Sequence, residues 1–303
     1  MNKLKTIVIV IIVLYLAALI SSSLLTSTPL ASEFSSNGIA LIKIDGTIVS
    51  NGGSGLFSSG NVDSDTVIAQ INQAEKASGV KAIIFEINSG GGAVVASKEI
   101  ADKIKTVEKP TIALIREVGA SGAYWAASST DYVIADELSI TGSIGVIASY
   151  LEFSGLMEKY GVEYEGLTTG KYKDTGTPYR DLTPEERALL IKKLEIIEER
   201  FIQDIAKNRN LEAEKVRSLA TGMFFLGIEA KELGLVDELG GRDLAIQKAK
   251  EMANLKDEKV VEYVKKPSLL NIFDDLTTQS FYSIGRGIGD SIKKEEDIRI
   301  LAK

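Results

Sequence analysis

KAIIFEINSGGGAVVASKEIADKIKTVEKPTIALIREV, residues 81–118, sets an apolar run against a triple glycine, an amphipathic stretch and a second apolar run. KAIIFEIN (81–88) reads as a strand buried on both faces, and AVVASKEIADKIKTV (93–107) spaces its apolar residues as a helix does. TIALIREV (111–118) reads as a second buried strand. Strand, helix and strand in that order call for a crossover between parallel strands, so an α/β domain is expected.

The alternation continues on both sides. Upstream, IALIKIDGTIVS (39–50) reads as a strand, NGGSGLFSSGN (51–61) as a flexible loop and DTVIAQINQAEKA (65–77) as a helix. Downstream of GASGAYWAAS (119–128), DYVIADE (131–137), SIGVIAS (143–149) and YEGLTT (164–169) are expected to be strands. LTPEERALLIKKLEIIEERFIQDIAKNR (182–209) carries Thr183 as N-cap, Pro184 in the first turn and Glu186 three residues after the cap, the signature of a long capped helix. Its stripe of Leu189, Leu190, Leu194, Ile197, Phe201 and Ile205 is expected to pack on the domain or on a neighbouring subunit.

At the N-terminus, residues 6–25 are uncharged and apolar, long enough at 1.5 Å per residue to cross a hydrocarbon core of about 30 Å. Lys3 and Lys5 precede them, which keeps the short N-terminus in the cytoplasm and places the remainder outside the cell membrane. An uncleaved single-pass anchor is the preferred reading. A leader cleaved near Ala31 is the alternative, disfavoured by Pro29 at the third position before the cut. The expected organisation is a cytoplasmic stub and anchor (1–26), a linker (27–37), one α/β domain (38–255) and a C-terminal extension (256–303), partly mobile or docked on a neighbouring subunit.

Composition narrows the chemistry. The chain of 303 residues has a formal charge of −7, which opposes a nucleic-acid partner, because phosphate binding needs a concentrated positive field. It has no cysteine and no histidine, so disulfides, thiol nucleophiles, Cys/His metal sites and any Ser-His pair are excluded. No metal and no cofactor is expected.

Two stretches remain as candidate chemistry. INSGGGAVVAS (87–97) places glycine amides at a helix start, where they can hold a developing oxyanion; it lacks the third glycine of a dinucleotide loop and the lysine of a phosphate loop. GASGAYWAAS sets Ser121 among small residues that admit a substrate backbone. Without histidine, the standard substitute for its general base is a lysine, which must be desolvated, since a free amine with a pKa of about 10.4 is a poor base at neutral pH. TTGKYKDTGTPYR (168–180) offers Lys171 and Lys173, which share one side of an extended chain, and spacing does not choose between them.

Taken in order, INSGGG, VGASGAYWAAS, ITGSIGV and GKYKDTGTPYRDLTPEE make the chain resemble the signal peptide peptidase A (SppA) family of membrane-anchored Ser-Lys peptidases over residues 36–250. The resemblance implies a crotonase-like fold related to Clp protease and enoyl-CoA hydratase, with Ser121 as nucleophile, Lys173 as general base and Ser143 orienting that lysine. It implies an oxyanion hole of the Gly122 N–H and an N–H from the glycine turn, with Gly91 preferred and Gly92 as the alternative. Gly90 stands where the family usually has proline, which frees the turn. The family forms rings or domes, and a single-unit chain resembles the octameric kind. Peptide substrates are then expected, remnant signal peptides and other apolar extended segments. Two rivals are a stomatin-linked membrane peptidase with one specific protein substrate and a crotonase-fold acyl-CoA enzyme using the same amide pair.

Overall fold

A computed structural model describes residues 38–50, 60–256 and 259–263. The expected anchor at 6–25, the linker, most of the loop at 51–61 and the extension beyond 263 lie outside the described residues.

The domain is built on an eight-stranded sheet. β1 (Gly38–Asp45), β4 (Val80–Ser89), β5 (Thr111–Ala120) and β6 (Tyr132–Ala135) are its parallel centre, with β10 (Lys259–Tyr263) beside β1 and β9 (Glu238–Leu239) beside β6. β7 (Ile140–Gly142) pairs in parallel with the last residues of β5, and β8 (Phe224–Leu226) pairs antiparallel with β7. β2 (Thr47–Val49) and β3 (Asn61–Asp63) form a separate parallel pair. The sheet thus takes in 259–263, beyond the end expected for the domain at 255.

The central strands are mostly apolar because both faces are covered over most of their length. Ala40, Ile42, Ile83, Phe85 and Ile115 join one core cluster; Ile39, Leu41, Ile84 and Leu114 join the other. Helices α1 (Ser64–Lys76), α2 (Val94–Lys105), α3 (Gly122–Ser128) and the C-terminal half of α5 (Pro184–Arg209) supply residues to the first cluster. Ala245 and Ala249, one turn apart on α8 (Arg242–Ala253), cover the second.

The capping box of α5 is present as expected: Thr183 Oγ1 accepts from the Glu186 N–H at 3.2 Å and Glu186 Oε2 accepts from the Thr183 N–H at 2.9 Å. The expected stripe divides. Phe201 and Ile205 are buried, whereas Leu189 is exposed. Three expectations are corrected. SIGVIAS and YEGLTT are not strands, and 39–50 is two strands, broken at Gly46. Residues 146–182 instead form an outward arm bearing only the short helix α4 (Ser154–Lys159), with Ile147 and Leu167 each 90% exposed. Its sequences are apolar enough for strands but meet no partner strand within one chain. Helices α6 (Ala213–Leu219) and α7 (Gly227–Leu233) connect α5 back to the sheet edge.

Candidate active site

Ser121 follows the last residue of β5 and precedes the first of α3. Its backbone is at φ 53° and ψ −126°, a conformation a non-glycine residue adopts only when its surroundings hold it there. The hold is visible: its N–H donates to Gly142 O at 2.8 Å and its carbonyl accepts from the Trp125 N–H at 3.0 Å. A serine opening a helix usually caps it, yet the Ser121 hydroxyl makes no cap bond to α3.

The glycine turn lies directly against this serine. A Cβ on Gly91, which is at φ +93°, would stand 2.6 Å from Gly122 N and 3.1 Å from Ser121 Cβ, so the approach requires glycine. The two candidate turn amides differ in their commitments. The Gly91 N–H donates to Ser89 Oγ at 3.1 Å. The Gly92 N–H makes no hydrogen bond among the described residues, because the bridge between β2 and the turn uses Gly91 O and the Ala93 N–H instead. As the first residue of α3, Gly122 also has an N–H with no intrahelical acceptor. Two open donors therefore flank the serine.

Ser143 follows β7 at φ 49°, and its hydroxyl donates to Gly222 O at 3.0 Å, leaving its lone pairs to accept. Ser121, Gly122, Gly92 and Ser143 all line one cleft of about 440 Å³. Sequence reasoning did not identify its apolar wall: Trp125 stacks on Phe201 with ring centroids 4.5 Å apart, and the indole N–H donates to Asp204 at 3.2 Å. Val94 and Ile197 line the same cleft. The sequence held a faint signal for this wall, the single tryptophan four residues after the serine. Beneath Gly122 lies Ser97, whose buried hydroxyl has no hydrogen-bond partner.

Neither candidate lysine lines the cleft. Both are exposed on the outward arm. Lys171 is engaged by Glu185 at 2.7 Å, and hydrogen bonds to Glu185 and then Tyr172 push its pKa well above the ordinary lysine range, so it is held as a cation. Lys173 makes no ion pair and no side-chain hydrogen bond among the described residues; its N–H donates to Gly170 O at 3.1 Å. Within one chain Ser121, both open amides and Ser143 come together, and neither candidate lysine joins them.

The chain is similar to known proteins along most of its length. Residues 103–256 match the model of peptidase family S49, and residues 56–133 match that of Clp protease. A Methanocaldococcus jannaschii protein named as a protease is 34% identical over 97% of each chain. An Enterococcus faecium protein named for signal peptide peptidase SppA is 34% identical over 80% of this chain and 71% of that one. Among solved structures, a membrane-bound stomatin-specific protease aligns with a TM-score of 0.49 at 14% identity, covering 77% of this chain and all of that one.

Proposed function

The chain belongs to peptidase family S49 as an SppA-family serine peptidase, and from that premise we propose that it is a Ser-Lys endopeptidase whose base is supplied by a neighbouring copy. The observation that carries the reading is the Ser121 backbone, strained and uncapped between the open amides of Gly122 and Gly92.

In the proposed mechanism Ser121 Oγ attacks the scissile carbonyl carbon while the neutral Lys173 amine takes its proton. The carbonyl oxygen gains the negative charge and is held by the Gly122 and Gly92 N–H groups. Collapse of the tetrahedral intermediate breaks the C–N bond, and Lys173 returns the proton to the leaving amine. Lys173 then takes a proton from water, the hydroxide attacks the acyl carbon, and Ser121 Oγ leaves with that proton. Ser143, already anchored to Gly222, accepts a hydrogen bond from the amine and orients it.

A lysine must leave water to act this way at neutral pH. The arm that carries Lys173 also exposes Ile147, Leu151 at 72%, Leu156 and Leu167, apolar side chains that a second copy would cover. We assign the closed ring or dome to this contact. The apolar side chains that line the cleft with some surface exposed, Val94, Ile147 and Ile197, favour extended apolar peptides, and remnant signal peptides fit that chemistry. The stretch 6–25 would hold the enzyme in the cell membrane with its catalytic domain outside.

The test is cleavage of an apolar signal-sequence peptide by the full chain in detergent. Ser121→Ala and Lys173→Ala should each abolish activity while the oligomer persists. Cleavage by Lys173→Ala at a rate comparable to wild type would sink the mechanism.

A further inference from the structure

Lys173 sits on a turn whose other side chains are tied down. Lys171 and the Tyr172 hydroxyl both go to Glu185. Thr175 Oγ1 donates to Glu186 Oε1 at 2.8 Å. Asp174 receives a two-pronged grip from Arg180, whose Nε and Nη2 each donate to one carboxylate oxygen at 2.8 Å. The same guanidinium reaches Glu186 with Nη2 at 2.7 Å and Nη1 at 3.0 Å. Glu186 itself is only 3% exposed and is fixed in the first turn of α5 by the capping box. Arg180 therefore bolts the residue beside Lys173 to the start of a 26-residue helix that also lines the Ser121 cleft through Ile197 and Phe201.

The grip has an electrostatic side. Asp174 is the carboxylate adjacent to Lys173 in sequence, and Arg180 occupies both of its oxygens. Glu186 is likewise held by Arg180, and Glu185 is taken by Lys171 and Tyr172, so every acidic group of the turn and of the first turn of α5 already has a partner. A carboxylate left free beside Lys173 would pair with it and keep it protonated, which disables a base.

We infer that Arg180 is the positioning residue for the lysine base: by clamping Asp174 to Glu186 it fixes the Lys173 backbone relative to α5 and keeps Asp174 from pairing with the amine. This rests on Lys173 being the base. A guanidinium fork spans two carboxylates in fixed geometry, which a lysine ammonium cannot reproduce, so Arg180→Lys preserves the charge and loses the alignment.

The experiment measures kcat, KM and the pH midpoint of the alkaline-rising limb for an apolar signal-sequence peptide. It compares full-chain wild type with Arg180→Ala, Arg180→Lys, Arg180→Ala/Asp174→Asn and Lys173→Ala. Arg180→Ala should lower kcat on the order of 100-fold with KM little changed, the scale of a misplaced catalytic group. Its midpoint should rise by about one unit, the low end of a new neighbouring opposite charge. Adding Asp174→Asn should return the midpoint without restoring the rate, and Arg180→Lys should keep the midpoint while losing rate. A wild-type rate and midpoint in Arg180→Ala overturns the proposal, as does lost rate with an unmoved midpoint. Loss of fold in both Arg180 variants assigns the clamp to stability and also overturns it. Those failures leave the dyad standing if Lys173→Ala is inactive, whereas an active Lys173→Ala removes the dyad and the clamp's role together.

Discussion

The Ser121 N–H donates to the carbonyl of Gly142 at 2.8 Å, and Ser143 is the next residue. The two serines are thus tied together through one backbone bond at the point where β5 pairs with β7. The two serines share a positive φ, and each sits at the C-terminal end of a strand of the same sheet.

Replacing Ser143 by alanine should therefore leave the strand pairing intact, since the bond uses backbone atoms only. The loss falls on the hydroxyl that would receive the lysine. We expect kcat to fall by about tenfold to 100-fold with KM within twofold, because an orienting group is worth less than the full contribution of a general base. Steady-state kinetics on the apolar peptide checks this, and an unchanged kcat would remove Ser143 from the machinery.

Much of the fold was legible because the chain between 65 and 135 alternates amphipathic helix with strands buried on both faces, a pattern no other fold class produces so directly. The arm was not. SIGVIAS and YEGLTT have strand-like composition, but Ile147 and Leu167 find nothing to cover them in one chain, and a strand needs a neighbouring strand to satisfy its backbone. β10 is not legible in the sequence because KVVEY is short and partly charged, as edge strands are. At the site, Ser121, Ser143 and the glycine turn were readable from motif and chemistry. The distinction between the Gly91 and Gly92 amides was not, since it depends on where Ser89 Oγ points.

Ser97, beneath Gly122 at the Ser121 cleft, offers a test read out as stability. Its hydroxyl is buried without a partner within α2, and a buried unsatisfied polar group costs about 1–3 kcal/mol. Alanine removes that group and suits a helix interior better. Ser97→Ala is expected to raise Tm by roughly 2–4 °C for each kcal/mol recovered. A lower Tm by calorimetry would show that the hydroxyl does have a partner in the folded protein.

Glu186 makes the acid side of the stability curve predictable. The Arg180 guanidinium first, then the Thr183 N–H and the Thr175 hydroxyl, hold its carboxyl well below the usual carboxylate range. Its folded pKa is thus depressed below the unfolded value, so its contribution is fully present above the unfolded pKa of about 4.3 and is lost as pH falls toward the folded value. Between about pH 5 and pH 2, wild-type Tm should fall more steeply than that of Glu186→Gln, which cannot take up the proton. Parallel slopes in thermal melts would mean that the clamp does not link protonation to folding.

The sharpest consequence concerns which copy supplies the base. In one chain the Ser121 cleft contains both amides and Ser143 but no lysine, while Lys173 stands exposed on an arm whose apolar side chains Ile147, Leu151 and Leu167 are uncovered. If the amine crosses a subunit boundary, Ser121→Ala retains every lysine and Lys173→Ala retains every nucleophile. Two inactive variants would then rebuild working sites when mixed under conditions that exchange subunits. Random mixing in equal amounts should restore about a quarter of wild-type activity, because only one ordered neighbour pairing in four brings an intact serine to an intact lysine. Full-chain variants exchanged in detergent and assayed with the apolar peptide give the measurement. If the mixture stays as inactive as its components despite demonstrated exchange, the lysine must reach Ser121 within its own chain, and the arm would then have to fold back toward the cleft.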